Sequence, residues 1–331
     1  MSDPSSSAPG EVTDPRVVVV TGASSGIGRA TAILLSSKGM RVVLASRSLE
    51  TLESARAECH GGETLVVPTD VSQADQVEAL MDAAAARFGR VDAVVHSAAV
   101  LAYGRFEDVP ADVFEGALDV TLIGTANVAR TALRRFREAG NGNLVVVGSL
   151  LGKIATPYMS SYVTSKWAVH GLVRCLQLET RDTPDINVSL VSPGGVNTPV
   201  YLQAGTYAGH HGMPPPPVVS PERVGRAIAR RLDHPARDTD VGPANLLTVL
   251  GFHVLPGVFD LIVTPLMRAG GLQRTQAQET PGNVLEPTTA GESTHGPWDT
   301  VFGGILGDGG ASPLGAIGRL ARPGGLRWRR T

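Results

Sequence analysis

Thr21-Gly22-Ala23-Ser24-Ser25-Gly26-Ile27-Gly28 follows the apolar run 17–20 and leads into a helical pattern over 30–35. Strand, glycine turn and helix, in that order, aim backbone N–H groups and the positive end of a helix dipole at one point. Phosphate is the usual guest there. Glycine is needed because a side chain would block close approach of a pyrophosphate. A lone glycine turn is a weak signal, so its weight depends on what the rest of the chain supplies.

Outward from this turn, short apolar runs alternate with helical patterns. The runs 16–20, 41–45, 64–67, 93–96, 143–148 and 187–191 are continuous, as in strands buried on both faces of a parallel sheet. The spacing between them predicts helices over 28–38, 49–58, 72–88, 111–138 and 161–181. A further helix over 221–232 has Ser220 as N-cap and Pro221 at its first position, and 239–241 reads as a last short strand. The repetition predicts an α/β fold: a Rossmann-like doubly wound parallel sheet with helices on both faces. The expected organisation is a disordered N-terminus (1–14), the Rossmann domain (15–243, with a substrate lid at about 199–219), an apolar helical extension (244–271) and a largely disordered tail (272–331).

The 331 residues are 42% apolar and carry a formal net charge of −2, so no global basic field argues for nucleic acid. Cys59 and Cys175 stand far apart in no metal-binding spacing, which predicts free thiols in a reducing cytoplasm. The Ser-, Pro- and Asp-rich stretch 1–15 has neither the basic start nor the apolar core of a secretory signal. His210-His211 has no third ligand in view and reads as loop, so no metal site is expected.

Lysine is scarce, limited to Lys38, Lys153 and Lys166. In Tyr162-Val163-Thr164-Ser165-Lys166 the tyrosine and lysine stand at i and i+4 of a helix and share a face. Ser149 ends the preceding strand, where ligands sit in open α/β sheets. The phosphate turn, Ser149, Tyr162 and Lys166 are therefore expected to face one crevice. The chemistry fits carbonyl reduction or its reverse. A free phenol has a pKa of roughly 10, too high for an efficient base near neutrality, and a neighbouring ammonium would lower it. Ser149 would hold and polarise the substrate oxygen while Tyr162 passes a proton.

The turn 21–28, Asp70-Val71, Ser149, Tyr162-x-x-x-Lys166 and Pro193-Gly194 together resemble the classical short-chain dehydrogenase/reductases, over about residues 16–232. The resemblance implies an NADP(H)- or NAD(H)-dependent oxidoreductase. It assigns Ser149, Tyr162 and Lys166 to catalysis, with Lys166 also on the nicotinamide ribose. The implied cofactor-binding set is Gly22, Ser24, Ser25, Gly26, Ile27, Gly28, Ser46, Arg47, Asp70, Val71, Ser97, Ala98, Tyr162, Lys166, Pro193, Gly194, Val196 and Thr198. Asp70 would bond the adenine and Thr198 the carboxamide. NAD-preferring relatives usually carry an acidic residue where Ser46 stands. Arg47 can instead meet a 2′-phosphate, so NADP(H) is expected over NAD(H).

Two positions depart from the family pattern. His96-Ser97-Ala98-Ala99 replaces its Asn-Asn-Ala-Gly run, and Thr121 stands where its catalytic Asn is usual. Thr121 is the candidate to substitute in the proton relay, and His96 reads as a buried strand-end residue. The region 199–219, with Tyr201, Leu202, Tyr207 and Met213, and the apolar Leu150, Leu151, Tyr158 and Met159 predict a hydrophobic ketone, aldehyde or alcohol as substrate. The alternatives are an NADP(H)-binding regulatory or structural protein with weak turnover, and a membrane-peripheral lipid or steroid reductase. The segment 245–267 is apolar over about one bilayer thickness, but Pro256-Gly257 splits it and Asp260 would be costly in lipid. It reads as packing on the core or a second subunit, or as surface contact with a membrane. A homodimer or homotetramer is what the family resemblance implies.

Overall fold

A computed structural model describes residues 14–289 and 291–298. Seven strands form the central sheet: β1 (Val17–Thr21), β2 (Arg41–Ser46), β3 (Thr64–Pro68), β4 (Ala93–His96), β5 (Gly142–Val147), β6 (Ile186–Pro193) and β7 (Asp238–Val241). All pair in parallel, in the order β7-β6-β5-β4-β1-β2-β3. The helices are α1 (Gly26–Ser37), α2 (Leu49–Ala57), α3 (Ala74–Phe88), α4 (Ala111–Leu118), α5 (Gly124–Ala139), α6 (Ser160–Glu179), the short α7 (Val200–Gln203), α8 (Pro221–Asp233), α9 (Asn245–Val254) and α10 (Pro256–Gly270).

The valine run of β1 shows why the sheet is two-sided. Val17 and Val19 enter one core with α3, α5 and α6, while Val18 and Val20 enter the other with α1 and α8. Each of the four is completely buried. Alternate side chains of a strand point to opposite faces, so a continuous valine run is stable only with both faces covered. Burying each such side chain contributes about 1.5–3 kcal/mol. The backbone of β1 is also pinned at its start, where Val17 N–H donates to Asp92 Oδ2 at 2.8 Å.

Strands and helices match the sequence pattern with three differences. The predicted helix 111–138 is interrupted: α4 and α5 are joined by a π-helical turn at Asp119–Ile123. There the Thr121 hydroxyl both donates to Val100 O and accepts from Val100 N–H, at 3.2 Å each. Gly124 passes so close to Val71 that a Cβ would lie 2.6 Å from Val71 Cγ2. The second difference is the apolar stretch 245–267, which breaks at Leu255 and Pro256 into α9 and α10. Its leucines do not reach the core: Leu246, Leu247 and Leu261 are 67%, 73% and 77% exposed. Among the described residues no helix is long and apolar enough to cross a membrane.

The third difference concerns the tail, for which composition predicts mostly disorder, or loose docking, from residue 272 onward. Instead Leu272–Gln276 pairs antiparallel with His210–Gly212, and the chain then runs back across the body. Thr280 and Thr206 exchange backbone hydrogen bonds, and Asn283 N–H donates to Gln203 O. These are long-range contacts that composition does not encode. The N-terminal stretch 1–13 and the basic end of the tail (Arg319, Arg322, Arg327, Arg329 and Arg330) lie outside the described residues.

Helix α1 can begin hard against the turn because Gly28 lacks a side chain: a Cβ there would stand 2.1 Å from Gly22 O. We expect Gly28→Ala to destabilise the protein by at least about 2 kcal/mol, the overpacking range, measured by urea unfolding.

Candidate active site

One cleft opens at the C-terminal ends of β1, β2, β4, β5 and β6. It holds about 1580 Å³ of empty space, open mouth included. All the anticipated cofactor-binding residues line it except Gly28, whose place is behind the turn against Gly22. Gly22 has φ +71° and would carry its Cβ 2.7 Å from Ala98 N, while a Cβ on Gly26 would meet Thr198 Cγ2 at 3.0 Å. The glycines therefore keep the turn, the Ser97-Ala98 backbone and the Thr198 loop close together. Ser25, the N-cap of α1, makes no side-chain cap bond, and of the first-turn donors Gly26 N–H is taken by Ser293 O. Asp70 lines the cleft too, with Oδ1 accepting from Ser72 N–H and Oγ–H at 2.9 and 2.8 Å.

At the other end of the cleft stand Ser149, Tyr162 and Lys166, all three in its wall. Ser149 sits where β5 gives way to a short helical turn, its hydroxyl accepting from Leu151 N–H at 3.1 Å. Lys166 is buried, donates from Nζ to Val147 O at 2.9 Å, and has Nζ 5.6 Å from the centre of the Tyr162 ring. Burial governs both groups. It pushes the Tyr162 phenol up to about 12, opposed by a hydrogen bond with Ser149, and pushes Lys166 down to about 8. The expectation that the lysine lowers the phenol is thus corrected for the protein as described: desolvation outweighs the ammonium, whose nearest bond is to the backbone. Near neutrality the pair is a protonated phenol beside a mostly protonated amine.

Thr121 does not line the cleft; Val120 does. The Thr121 hydroxyl is spent on both backbone groups of Val100. His96 is fully buried between Thr21 Oγ1 (2.8 Å to Nδ1) and Thr125 Oγ1 (3.0 Å to Nε2). Because Thr125 Oγ1 donates to Thr121 O at 2.6 Å, the network assigns the His96 proton to Nε2. His96 is therefore a neutral strut, held down to about 3 by burial and by Lys166.

Three contributors were not read from the sequence. His170 accepts at Nε2 from Ser149 N–H at 3.3 Å, and it packs where a Cβ on Gly148 or Gly152 would stand. Its signal was available, since 162, 166 and 170 share one helix face. Met267 of α10 and Asn245 of α9 are the second. Met267 lines the cleft, and Asn245 Nδ2 donates to Ser192 O while its Oδ1 fills the space beside Gly194. The third is the segment 283–292, four of whose residues (Asn283, Pro287, Thr288 and Glu292) close the outer wall. Arg47 Nη2 donates to Asn283 O at 2.6 Å, and Gly26 N–H donates to Ser293 O at 3.0 Å.

The residues present fit a dinucleotide. Besides the glycine cradle, five buried polar atoms of the cleft residues have no protein partner: Ser46 Oγ, Thr156 Oγ1, Gln203 Nε2, Asn283 Oδ1 and Glu292 Oε2. Such atoms in a cleft wall await hydrogen bonds from a ligand or water. The far half is apolar, with Leu101, Leu151, Met159, Tyr201 and Met267 in one packed cluster that also buries Trp298.

Comparison with known proteins agrees with this geometry. Residues 16–206 match the short chain dehydrogenase family model. The uncharacterized oxidoreductase YxnA of Bacillus subtilis (strain 168) is 32% identical over 281 residues, covering 82% of this chain and 76% of the relative. Among solved structures, an alcohol dehydrogenase from the archaeon Thermococcus sibiricus complexed with 5-hydroxy-NADP is 31% identical, with TM-score 0.59, covering 69% of this chain and 95% of that one. A short-chain dehydrogenase/reductase from Burkholderia phymatum in complex with NAD is 26% identical, with TM-score 0.65, covering 74% and 95%.

His96 and His170 make the site acid-sensitive. Burial holds His170 at about 4, so both native histidines stay neutral where the unfolded ones, at about 6.5, take up protons. The unfolded chain then binds more protons, and stability falls as pH drops below 6.5. Between pH 7.5 and 5.5 the two together should remove about 3 kcal/mol from the unfolding free energy, and His170→Gln should remove only about half of that, as read by urea titration at the two pH values.

Proposed function

The chain belongs to the short-chain dehydrogenase family and is an oxidoreductase, and from this premise we propose that it interconverts a hydrophobic ketone or aldehyde and the corresponding alcohol, with NADP(H) as the preferred cofactor. The observation that carries the proposal is the convergence of Ser149, Tyr162 and Lys166 with the glycine turn on a single cleft. The bound nicotinamide would supply or accept the hydride.

The protein's own part is positioning and proton movement. Leu101, Leu151, Met159, Tyr201 and Met267 offer an apolar surface that would hold the substrate's hydrocarbon and exclude water. Ser149, its backbone steadied by His170, would orient the carbonyl oxygen. Tyr162, protonated at neutral pH, would donate its proton to that oxygen as negative charge develops there. Lys166 would favour the resulting phenolate electrostatically. In oxidation the same groups act in reverse, with Tyr162 as base. Support for NADP(H) comes from Arg47, partly buried in the cleft wall beside Ser46 and Ser48, where Ser46 rather than an acidic residue ends β2.

The surfaces of α4, α5 and α6 are the proposed contacts of a homo-oligomer. A second reading, contact with a membrane surface, is favoured by one observation: Leu246, Leu247, Leu250, Val254, Val258 and Leu261 of α9 and α10 are all exposed.

Two outcomes test the mechanism. Tyr162→Phe should lose several powers of ten in carbonyl reduction, each about 1.4 kcal/mol of barrier, while still binding NADPH; reduction at the wild-type rate would reject the assignment. Because Lys166 gives up its proton near pH 8, and with it the charge that favours the phenolate, carbonyl reduction should fall as pH passes from 7 to 9, as measured by kcat/KM.

A further inference from the structure

The body of the fold lacks the acidic residue that, at the end of the second strand, would accept from the adenosine ribose; Ser46 occupies that place. A carboxylate reaches the same wall from elsewhere. Glu292 lies 268 positions after Ser24 in sequence, yet its Oε1 accepts from Ser24 Oγ–H at 3.3 Å. Its Oε2 is buried without a partner, like Ser46 Oγ and Asn283 Oδ1 in the same cleft.

The segment carrying Glu292 is firmly seated. Ser293 O takes the Gly26 N–H, and His295 Nε2 meets Glu222 Oε1 at 2.7 Å on α8. Beyond them Trp298 is buried, its N–H donating to Asn197 Oδ1 at 3.1 Å and its ring edge-on to Tyr201 at 5.4 Å. At the near end, Asn283 O holds the Arg47 guanidinium. Arg47, the cation that would meet a 2′-phosphate, thus faces a segment that has already engaged it, with Asp70, Glu286 and Glu292 as the acidic groups acting on it.

We propose that Glu292 is a cofactor-discriminating residue: the C-terminal segment supplies the carboxylate that the body lacks, accepting from a ribose hydroxyl of the dinucleotide and opposing a phosphate at the same position. The inference rests on the reading of this cleft as the cofactor site. Its chemistry is one of charge. A carboxylate accepts from a neutral diol, whereas a phosphate monoester brings a charge of about −1.5 to −2 against it. Arg47 pulls toward the phosphorylated cofactor and Glu292 against it, so the full chain binds both forms, with a selectivity below what Arg47 alone would give.

The test is direct binding of NADPH and of NADH to the full-length protein, followed by nicotinamide fluorescence without substrate. Glu292→Gln keeps the shape and removes the charge. It should raise the NADPH-to-NADH affinity ratio about tenfold, through tighter NADPH and weaker NADH. Trp298→Ala, which loosens the seat of the segment, should move the ratio the same way. An unchanged or lower ratio in Glu292→Gln overturns the assignment. Arg47→Ala separates this from the preceding reading: if it fails to weaken NADPH binding, the phosphate role of Arg47 falls, while the Glu292 result is judged on its own ratio.

Discussion

The arrangement of the site depends on the parting of the chain at β1. From this strand β2 and β3 are laid down to one side and β4 to β7 to the other. Connections leaving in opposite directions cannot cover the strand ends between them, and a crevice remains there. Because β1 is buried on both faces and bonded on both edges, its position is over-determined. The glycine turn inherits that rigidity, and so does α1, which begins against it. On the far side, α6 delivers Tyr162 and Lys166 from a regular element, and Ser149 stands two residues past the end of β5.

Within that frame the dominant force on the titratable side chains is desolvation. Tyr162 rises and Lys166 falls, both toward their uncharged forms. The same burial makes each electrostatic interaction in the cleft stronger than it would be in water. A phenol that holds its proton in the resting protein is suited to donate it when charge appears on a neighbouring oxygen. His96 and His170 are neutralised by the same cause and serve as struts, one beneath the glycine turn and one behind Ser149. Imidazole is the commonest acid–base group in enzymes. In this protein both buried imidazoles are structural, which leaves the proposed proton transfer to the tyrosine.

Much of this was legible in the sequence because it depends on short-range patterning. The strands appear where the apolar runs stand, displaced by a residue or two, and the Tyr162/Lys166 spacing needs only helical periodicity to place both side chains on one face. Thr121 shows where such reading stops. Family resemblance alone makes it a candidate for the proton relay, but its hydroxyl is claimed by the Val100 backbone in a π-helical turn that periodicity cannot reveal. The tail shows the same limit more strongly. A stretch rich in Gly, Pro and Thr carries no local signal of order, and its docking is decided by contacts with Gln203, Asn197 and the glycine turn, all distant in sequence.

The late position of that segment in the chain bears on the order in which the molecule is made. Chains emerge from the ribosome N-terminus first, and domains tend to fold as they appear. The seven-stranded body is complete once β7 has emerged, with the crevice open along its outer side. Glu292 and Trp298 arrive only later, and until they dock the crevice has three walls. The outer wall of the crevice is therefore the last part of the site to be put in place, after every strand and helix that carries the rest of it.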